Sequence, residues 1–491
     1  MKFSKLTLAI ATTLGASASF SAFAIDLYVD TKTKQIYAEP GPHRQLMGAF
    51  ERVEDKPAAT PADTAEIADV RQDLETKTNE IKALQEHMDE VEKVKVKMDK
   101  KGLQVESADK NFKFKLGGRL QADATWNSGD NYYDRETGEH LEANDGTELR
   151  RARMRFEGVF YKDWLTRLEA DFADDNVRVK DAFLQYNGFD LFNITVGQQK
   201  QNFSRELQES SNDLMFTERS LMNILAAPVV DRAIGINFQS VGENWVAKAG
   251  AFGDSITPNT QNNEADEGWG INSRLIYNPI LEKTKLIHLG VAGNYRAPDA
   301  DGTVAKNKAL KLAYETTNMS NLDLIDKTVH DVNNIGMLGL EAAGMWGPVS
   351  VGGEYTQMWV DRKNNNSDLS LNGWYGEAAW TLTGESRKYK EGNFQYLEPA
   401  KPFSLKNGGW GAVETAVRYS GADLNDGSFK GGYIQNLTLA VNWYLNSNVR
   451  LMADWTTIVD LSDSPVSTTD QPTGSSPVDT DSFWLRAQVA Y

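Results

Sequence analysis

The residues with the most chemical content are arginines that share one face of a strand. In LRRARMRFEGVFY (149–161), Ala152, Met154, Phe156, Gly158 and Phe160 fall on one side of a period-two pattern. Arg151, Arg153 and Arg155 fall on the other, about 7 Å apart along the strand. Three guanidiniums in a row repel one another unless water, carboxylates or a passing anion offset them. Lys113, Lys115 and Arg119 repeat the pattern in the preceding segment. Ladders of Arg and Lys are how pores select anions, and a guanidinium matches phosphate oxygens in pairs. Glu157, Glu169, Asp171, Asp123 and Asp181 are the nearby acids that would turn the same ladder into an ordinary charge-balanced wall. A second group of cations lies in the long polar segment 200–230: Lys200, Arg205 and Arg219, with Glu206, Glu209, Asp213 and Glu218 among them. Its Leu214, Met215, Phe216, Leu221, Met222, Ile224 and Leu225 need burial, which a loop folded back against an inner wall provides.

These cations need a wall to hold them, and the alternation supplies one. Over Phe112–Trp126 the even positions are apolar or small and the odd positions mostly polar, for fifteen residues. Ordinary strands run five or six residues, so this length with strict alternation marks a transmembrane strand with lipid outside and water inside. Similar segments fall near 147–161, 164–173, 176–187, 191–199, 231–241, 243–253, 268–277, 285–296, 334–345, 349–360, 371–383, 410–420, 433–446, 448–459 and 481–491. With the first they make sixteen, an even number that closes a bacterial outer-membrane barrel. Short connections alternate with long polar ones, as periplasmic turns alternate with external loops. Residues 384–409 break the rule: the segment is long but falls on the periplasmic side of the count. Either a strand is hidden in 297–333 or this turn is unusual. The chain ends on Phe483, Leu485, Ala487, Val489 and Tyr491, alternating apolar residues closed by an aromatic.

The N-terminal part is different. Residues 1–24 carry Lys2 and Lys5, an apolar run and Ala22-Phe23-Ala24, the pattern of a cleaved secretory signal. Residues 25–61 are a short segment and linker. From 62 to 101 a heptad pattern places Ile67, Leu74, Ile81, Met88 and Lys95 seven apart, and Val70, Lys77, Leu84, Val91 and Met98 on the companion seam, eight of the ten apolar. Such a helix buries its seam only against another copy, so a coiled-coil stalk on the periplasmic side is expected. Gly102 is the expected helix stop. The fold expected is all-β: a 16-stranded antiparallel transmembrane β-barrel over 110–491, with an N-terminal periplasmic coiled-coil helix.

Composition narrows the function. The 491 residues carry a net charge of −17 and no cysteine. That excludes disulfides, thiolate metal sites and a cysteine nucleophile, and argues against nucleic-acid binding. Mean hydropathy is −0.50. No stretch after residue 24 has the eighteen consecutive apolar residues that a membrane-spanning helix needs. The five histidines sit beside no nucleophile motif, so no enzyme, metal or cofactor is expected.

A family resemblance rests on RMRFEGVFYKDW (153–164), DAFLQYNG (181–188), TVGQQKQNFSRE (195–206), TERSL (217–221), AGAFGD (249–254), GAVETAVRYS (411–420) and NWYLNSNVRLMADW (442–455). As a set these resemble the phosphate-selective porin O and P family, over essentially all of 112–491. The resemblance implies a homotrimeric outer-membrane channel for phosphate or polyphosphate, with the third loop folded inward. It implies Arg119, Arg151 and Arg153 as the ladder and Lys200, Arg205 and Arg219 as the constriction. The third loop departs from an all-basic eyelet, which leaves a weakly selective general porin, with the coiled coil serving as a tether toward the cell wall, as the alternative.

Overall fold

In the computed structural model the described residues are 25–50, 61–91, 94–100, 102–129, 131–256, 267–298, 309–467 and 480–491. The expected signal segment, 1–24, lies outside them. The chain divides into two units, 1–89 and 90–491.

In the first unit a three-stranded sheet pairs Ile25–Asp30 with Ile36–Tyr37 and Arg44–Phe50. A helix, α1, runs over Pro61–Val91. Its seam residues Val70, Leu74, Ile81, Leu84 and Met88 are all exposed within the single chain. The helix is shorter than the expected stalk. Val94–Asp99, which contains the last heptad positions Lys95 and Met98, is a strand paired with Gly102–Ser107. The alternation of Val94, Val96 and Met98 with Lys95 and Lys97 fits a strand as well as a heptad, and tertiary pairing decides between them. Gly102 therefore opens a strand and does not stop a helix.

The second unit is a closed barrel of sixteen antiparallel strands, with the 94–107 hairpin added at its seam. The strands are β1 (Phe112–Gly129), β2 (Gly146–Phe160), β3 (Trp164–Asp171), β4 (Arg178–Tyr186), β5 (Asn193–Lys200), β6 (Arg232–Val241), β7 (Trp245–Phe252) and β8 (Trp269–Leu281). They continue as β9 (Lys285–Ala297), β10 (Val332–Trp346), β11 (Val349–Arg362), β12 (Leu369–Thr381), β13 (Ala412–Asp426), β14 (Phe429–Tyr444), β15 (Val449–Ser462) and β16 (Thr480–Ala490). Every one coincides with an expected segment. The outer wall exposes Leu120, Met154, Val196, Leu275, Leu340 and Val441, and Trp164, Trp245, Trp346 and Trp380 mark its periplasmic rim. An apolar band with aromatic girdles is what lipid requires.

No hidden barrel strand lies in the described part of 297–333. Leu310–Glu315 and Asp323–Val329 pair only with each other, as a hairpin of the fifth external loop. Its Leu312, Leu324, Ile325 and Val329 join one apolar core with Phe203, Leu221 and Leu225 of the third loop and with Met337, Met358 and Leu371 of the wall. That core lies inside the barrel. The long connection 382–411 is the unusual turn. It enters the lumen from the periplasmic end, where Phe394 N–H donates to Glu209 Oε1 of the third loop at 3.1 Å. Arg387 donates to Asp213 O at 2.5 Å.

Candidate functional site: the basic passage

Period-two alternation turns the polar face of β1–β4 inward. In the β1–β2 register Arg119 stands directly opposite Arg153. The like charges are separated by carboxylates from β3. Glu169 Oε2 lies 3.2 Å from Arg119 and its Oε1 3.3 Å from Arg153, while Asp171 is 2.7 Å from Arg153 Nε. Arg151 donates to Gln121 at 2.8 Å and lies 3.3 Å from Glu218. Glu157 is shared by Arg167 at 2.7 Å, Lys115 at 3.4 Å and Arg155 at 3.8 Å. Asp123 pairs with Arg486 at 2.6 Å and Asp181 with Arg232 at 2.8 Å. All five acids read from the sequence as balancing partners are thus ion-paired.

The third loop, residues 201–231, folds into the barrel and carries two short helices, α2 (Arg205–Gln208) and α3 (Asn223–Val230). All seven apolar residues that needed cover are buried. Its polar backbone is bound to the wall. Arg450 donates to Leu214 O at 2.7 Å, Asn442 to Met215 O at 2.8 Å, and Thr217 N–H to Asp454 at 2.7 Å. With the fifth-loop hairpin and the 382–411 turn, the loop fills the β10–β16 side of the lumen.

The passage that remains runs along β1–β7. It is a cavity of about 550 Å³ lined by twelve basic and five acidic side chains. This excess of positive charge sits in a chain whose total is −17. Arg119, Arg151, Arg153 and Arg155 line it, as do Lys200 and Arg219. Lys200 donates to Leu207 O at 2.7 Å and Glu209 O at 2.8 Å; Arg219 donates to Glu206 O at 3.0 Å and Glu209 O at 3.1 Å. Both make their hydrogen bonds to carbonyls, which orient the charge without neutralising it. Glu218 is held differently. Burial alone would raise its carboxyl, but Arg150, Arg151 and Arg486 outweigh that and hold it well below the ordinary carboxylate range.

Three expected residues are placed elsewhere. Arg205 points away from the passage, into the β11–β12 wall. There it meets Glu377 at 2.6 Å, Tyr375 Oη at 2.7 Å and Glu209 at 2.8 Å. A fully buried guanidinium needs this many partners, so Arg205 anchors the loop and does not face solutes. Lys113 and Lys115 do not line the cavity; Lys113 pairs in register with Glu106 of the 94–107 hairpin. In their place the passage gains Arg150, Arg167, Arg178, Lys180, Arg232 and Lys248. Arg150 and Lys180 come inward at irregularities in the ladders. Between Gln121 and Asp123 of β1 the β2 partner jumps from Arg151 to Glu148; between Glu169 and Ala170 of β3 the β4 partner jumps from Asp181 to Val179. A bulge leaves one extra residue unpaired and re-aims it.

The family model of phosphate-selective porin O and P matches residues 114–491. The chain belongs to this family. Porin O of Pseudomonas aeruginosa is 30% identical over 386 residues, covering 72% of this chain and 84% of that protein. Among solved structures, a loop-deletion form of the Vibrio cholerae outer membrane protein OmpT aligns with a TM-score of 0.49 at 11% identity, over 78% of this chain and all of that one. An anion-selective porin from Comamonas acidovorans aligns with a TM-score of 0.47 at 14% identity, over 77% and 100%. This porin is therefore a channel of the Gram-negative outer membrane.

Proposed function

We propose that this porin passes small hydrophilic anions by passive diffusion, with phosphate or polyphosphate as the solutes that fit it. The observation that carries this reading is the twelve-to-five excess of basic over acidic side chains along the passage. Such walls attract anions and replace part of their hydration, while binding stays weak enough for release. Bidentate guanidiniums suit phosphate oxygens. Arg119, Arg151, Arg153, Arg155, Lys200 and Arg219 are the anion-contacting residues in this proposal. The test is single-channel conductance of the purified protein in planar bilayers under a KCl gradient, followed by phosphate. Anion-selective reversal with millimolar phosphate blocking chloride current supports the reading. Cation-selective or unselective conductance refutes it.

A second reading is a general porin of weak selectivity. What favours it is the pairing of Glu157, Glu169, Asp171 and Asp181 with the arginine wall. In either case the exposed seam of α1 supports a homotrimer joined by a coiled coil, with a further role as a tether to the cell wall. Cell-wall pulldown with and without residues 62–91 separates the tether from the channel.

A further inference from the structure

The long periplasmic connection between β12 and β13 has two halves that go to opposite sides of the wall. The first half enters the lumen, where Phe394 reaches the third loop. The second half, PAKPFSLKNGGWG (399–411), returns over the outside. Trp443 fixes the side. In β14 Asn442 and Tyr444 are buried on the lumen face, so Trp443 between them points outward, as Leu439 and Val441 do. The Phe403 ring packs edge-on against Trp443 at 5.1 Å, and the Trp443 indole N–H donates to Trp410 O at 2.7 Å. Ser404 and Gly409 exchange backbone hydrogen bonds at 2.9 and 3.2 Å, which closes the tip of the segment into a tight turn.

What this turn presents is out of place in water. Leu405 is 91% and Trp410 75% exposed. Lys401 and Lys406 are exposed beside them, and the segment contains no acid, in a chain whose total charge is −17. The acids nearest in sequence are engaged elsewhere. Glu398 joins Lys100 and Lys388, and Glu385 accepts from the Ala400 N–H at 2.9 Å. The patch is continuous with the lipid-facing girdle through Trp443 and Trp380. Indole rings favour the headgroup level of a bilayer, and lysine stems lie along apolar surface while their ammonium groups reach outward. Apolar side chains interleaved with cations suit anionic lipid, which offers hydrocarbon below a layer of phosphates.

We propose that residues 399–411 are an interface anchor that binds anionic phospholipids of the periplasmic leaflet, with Leu405 and Trp410 at the top of the acyl chains and Lys401 and Lys406 on the phosphates. It needs a barrel in the outer membrane but not the anion preference of the passage.

The chain has no cysteine, so one introduced thiol can be labelled alone. Full-length Leu405→Cys carrying a small fluorophore is reconstituted into vesicles of phosphatidylethanolamine and phosphatidylglycerol. Lys283→Cys, at the tip of the short β8–β9 turn, is the control. Quenching by phospholipids with brominated chains reports lipid contact, and quenching by iodide reports water. The label at 405 is expected to be quenched by brominated lipid and shielded from iodide, and the label at 283 the reverse. Brominated phosphatidylglycerol should quench the 405 label better than brominated phosphatidylcholine. Lys401→Gln and Lys406→Gln should each lower that preference about threefold, the worth of one ammonium–phosphate contact at about 4 Å in water near 0.1 M salt. A label at Asn407 gives the same reading if the Leu405 variant does not assemble. A 405 label open to iodide and untouched by brominated lipid overturns the anchor. A label shielded from both overturns it too, since protein, such as a second copy of the chain, then covers the patch. So does a lipid preference that both lysine variants leave unchanged.

Discussion

Arg219 offers the cleanest test of the electrostatics, because its charge can be removed without stranding a buried acid. Its guanidinium donates to the Glu206 and Glu209 carbonyls. In Arg219→Gln the amide keeps one such bond, so the fold loses about 1 kcal/mol, the worth of one hydrogen bond. The permeating ion feels the change directly. An ion about 7 Å from a unit charge in water gains or loses about 0.6 kcal/mol. Removing the charge costs an anion that attraction and frees a cation from the same repulsion. The two effects together are about 1.2 kcal/mol, or about eightfold in the anion-to-cation permeability ratio. The assay is the reversal potential under a KCl gradient near 0.1 M, where the Debye length is about 10 Å, repeated near 1 M, where it is about 3 Å. Screening over 7 Å halves that coupling near 0.1 M, so the ratio should fall about threefold in dilute salt and barely move in concentrated salt. An unchanged ratio at low salt, or an equal fall at high salt, refutes the argument that this side chain acts on ions through its field.

Other outcomes follow from the pairings. Arg153→Gln leaves Asp171 and one oxygen of Glu169 without their arginine partner, so it should cost about 3–5 kcal/mol, far more than Arg219→Gln, seen as a lower urea midpoint. Deleting 386–398, the part of the long turn that touches the third loop through Arg387 and Phe394, should raise single-channel conductance; an unchanged value would mean that the turn does not narrow the route. In the fifth-loop hairpin, burial and Asp323 raise the Glu315 carboxyl, and burial and Asp326 raise that of Asp323. Raised acids bind protons more tightly in the folded state, so the hairpin should be most protected at low pH and loosen as pH rises through the carboxylate range. Hydrogen exchange on the hairpin between pH 4 and 7 measures this, and Asp323→Asn should flatten the trend. Removing 62–91 should lower trimer stability on semi-native gels; an unchanged trimer would remove the helix from that role.

The barrel was legible because membrane strands are long and lipid punishes a charge on the wrong face. Both constraints act on single residues, so all sixteen segments stood out. The ladder residues Arg119, Arg151, Arg153 and Arg155 followed from the same alternation. What alternation hides is its own interruption. Arg150 and Lys180 reach the passage at ladder irregularities that depend on the neighbouring strand. The third loop could be read as buried from its apolar residues, but not which way each cation points. That is why Arg205 was grouped with Lys200 and Arg219 when its partners are Glu377 and Tyr375. The heptad pattern ran on past the helix because Lys95 and Met98 satisfy two periods at once, and the strand at 102–107 settles the choice.

The seam where the barrel closes has a built-in end-stop. β1 is longer than β16 can cover. Tyr491 exchanges backbone hydrogen bonds with Gly118 at 2.8 and 3.0 Å, and there β16 runs out. The edge of β1 below that point is occupied by the 94–107 hairpin, with Leu103 opposite Leu116 and Glu106 opposite Lys113. The two pieces abut. A Cβ on Gly102 would lie 2.2 Å from Leu116 O and 3.3 Å from the Tyr491 carbonyl carbon, and Gly102 has φ of +88°. During assembly the chain segment that leaves the inner membrane first can therefore cover the lower edge of β1 before the last strand arrives. That last strand then finds an edge of one length only, and a slip of two residues toward the periplasm would drive Tyr491 into the hairpin. The two edges joined at closure lie 373 residues apart, from Gly118 to Tyr491, and the hairpin leaves room for one alignment of them.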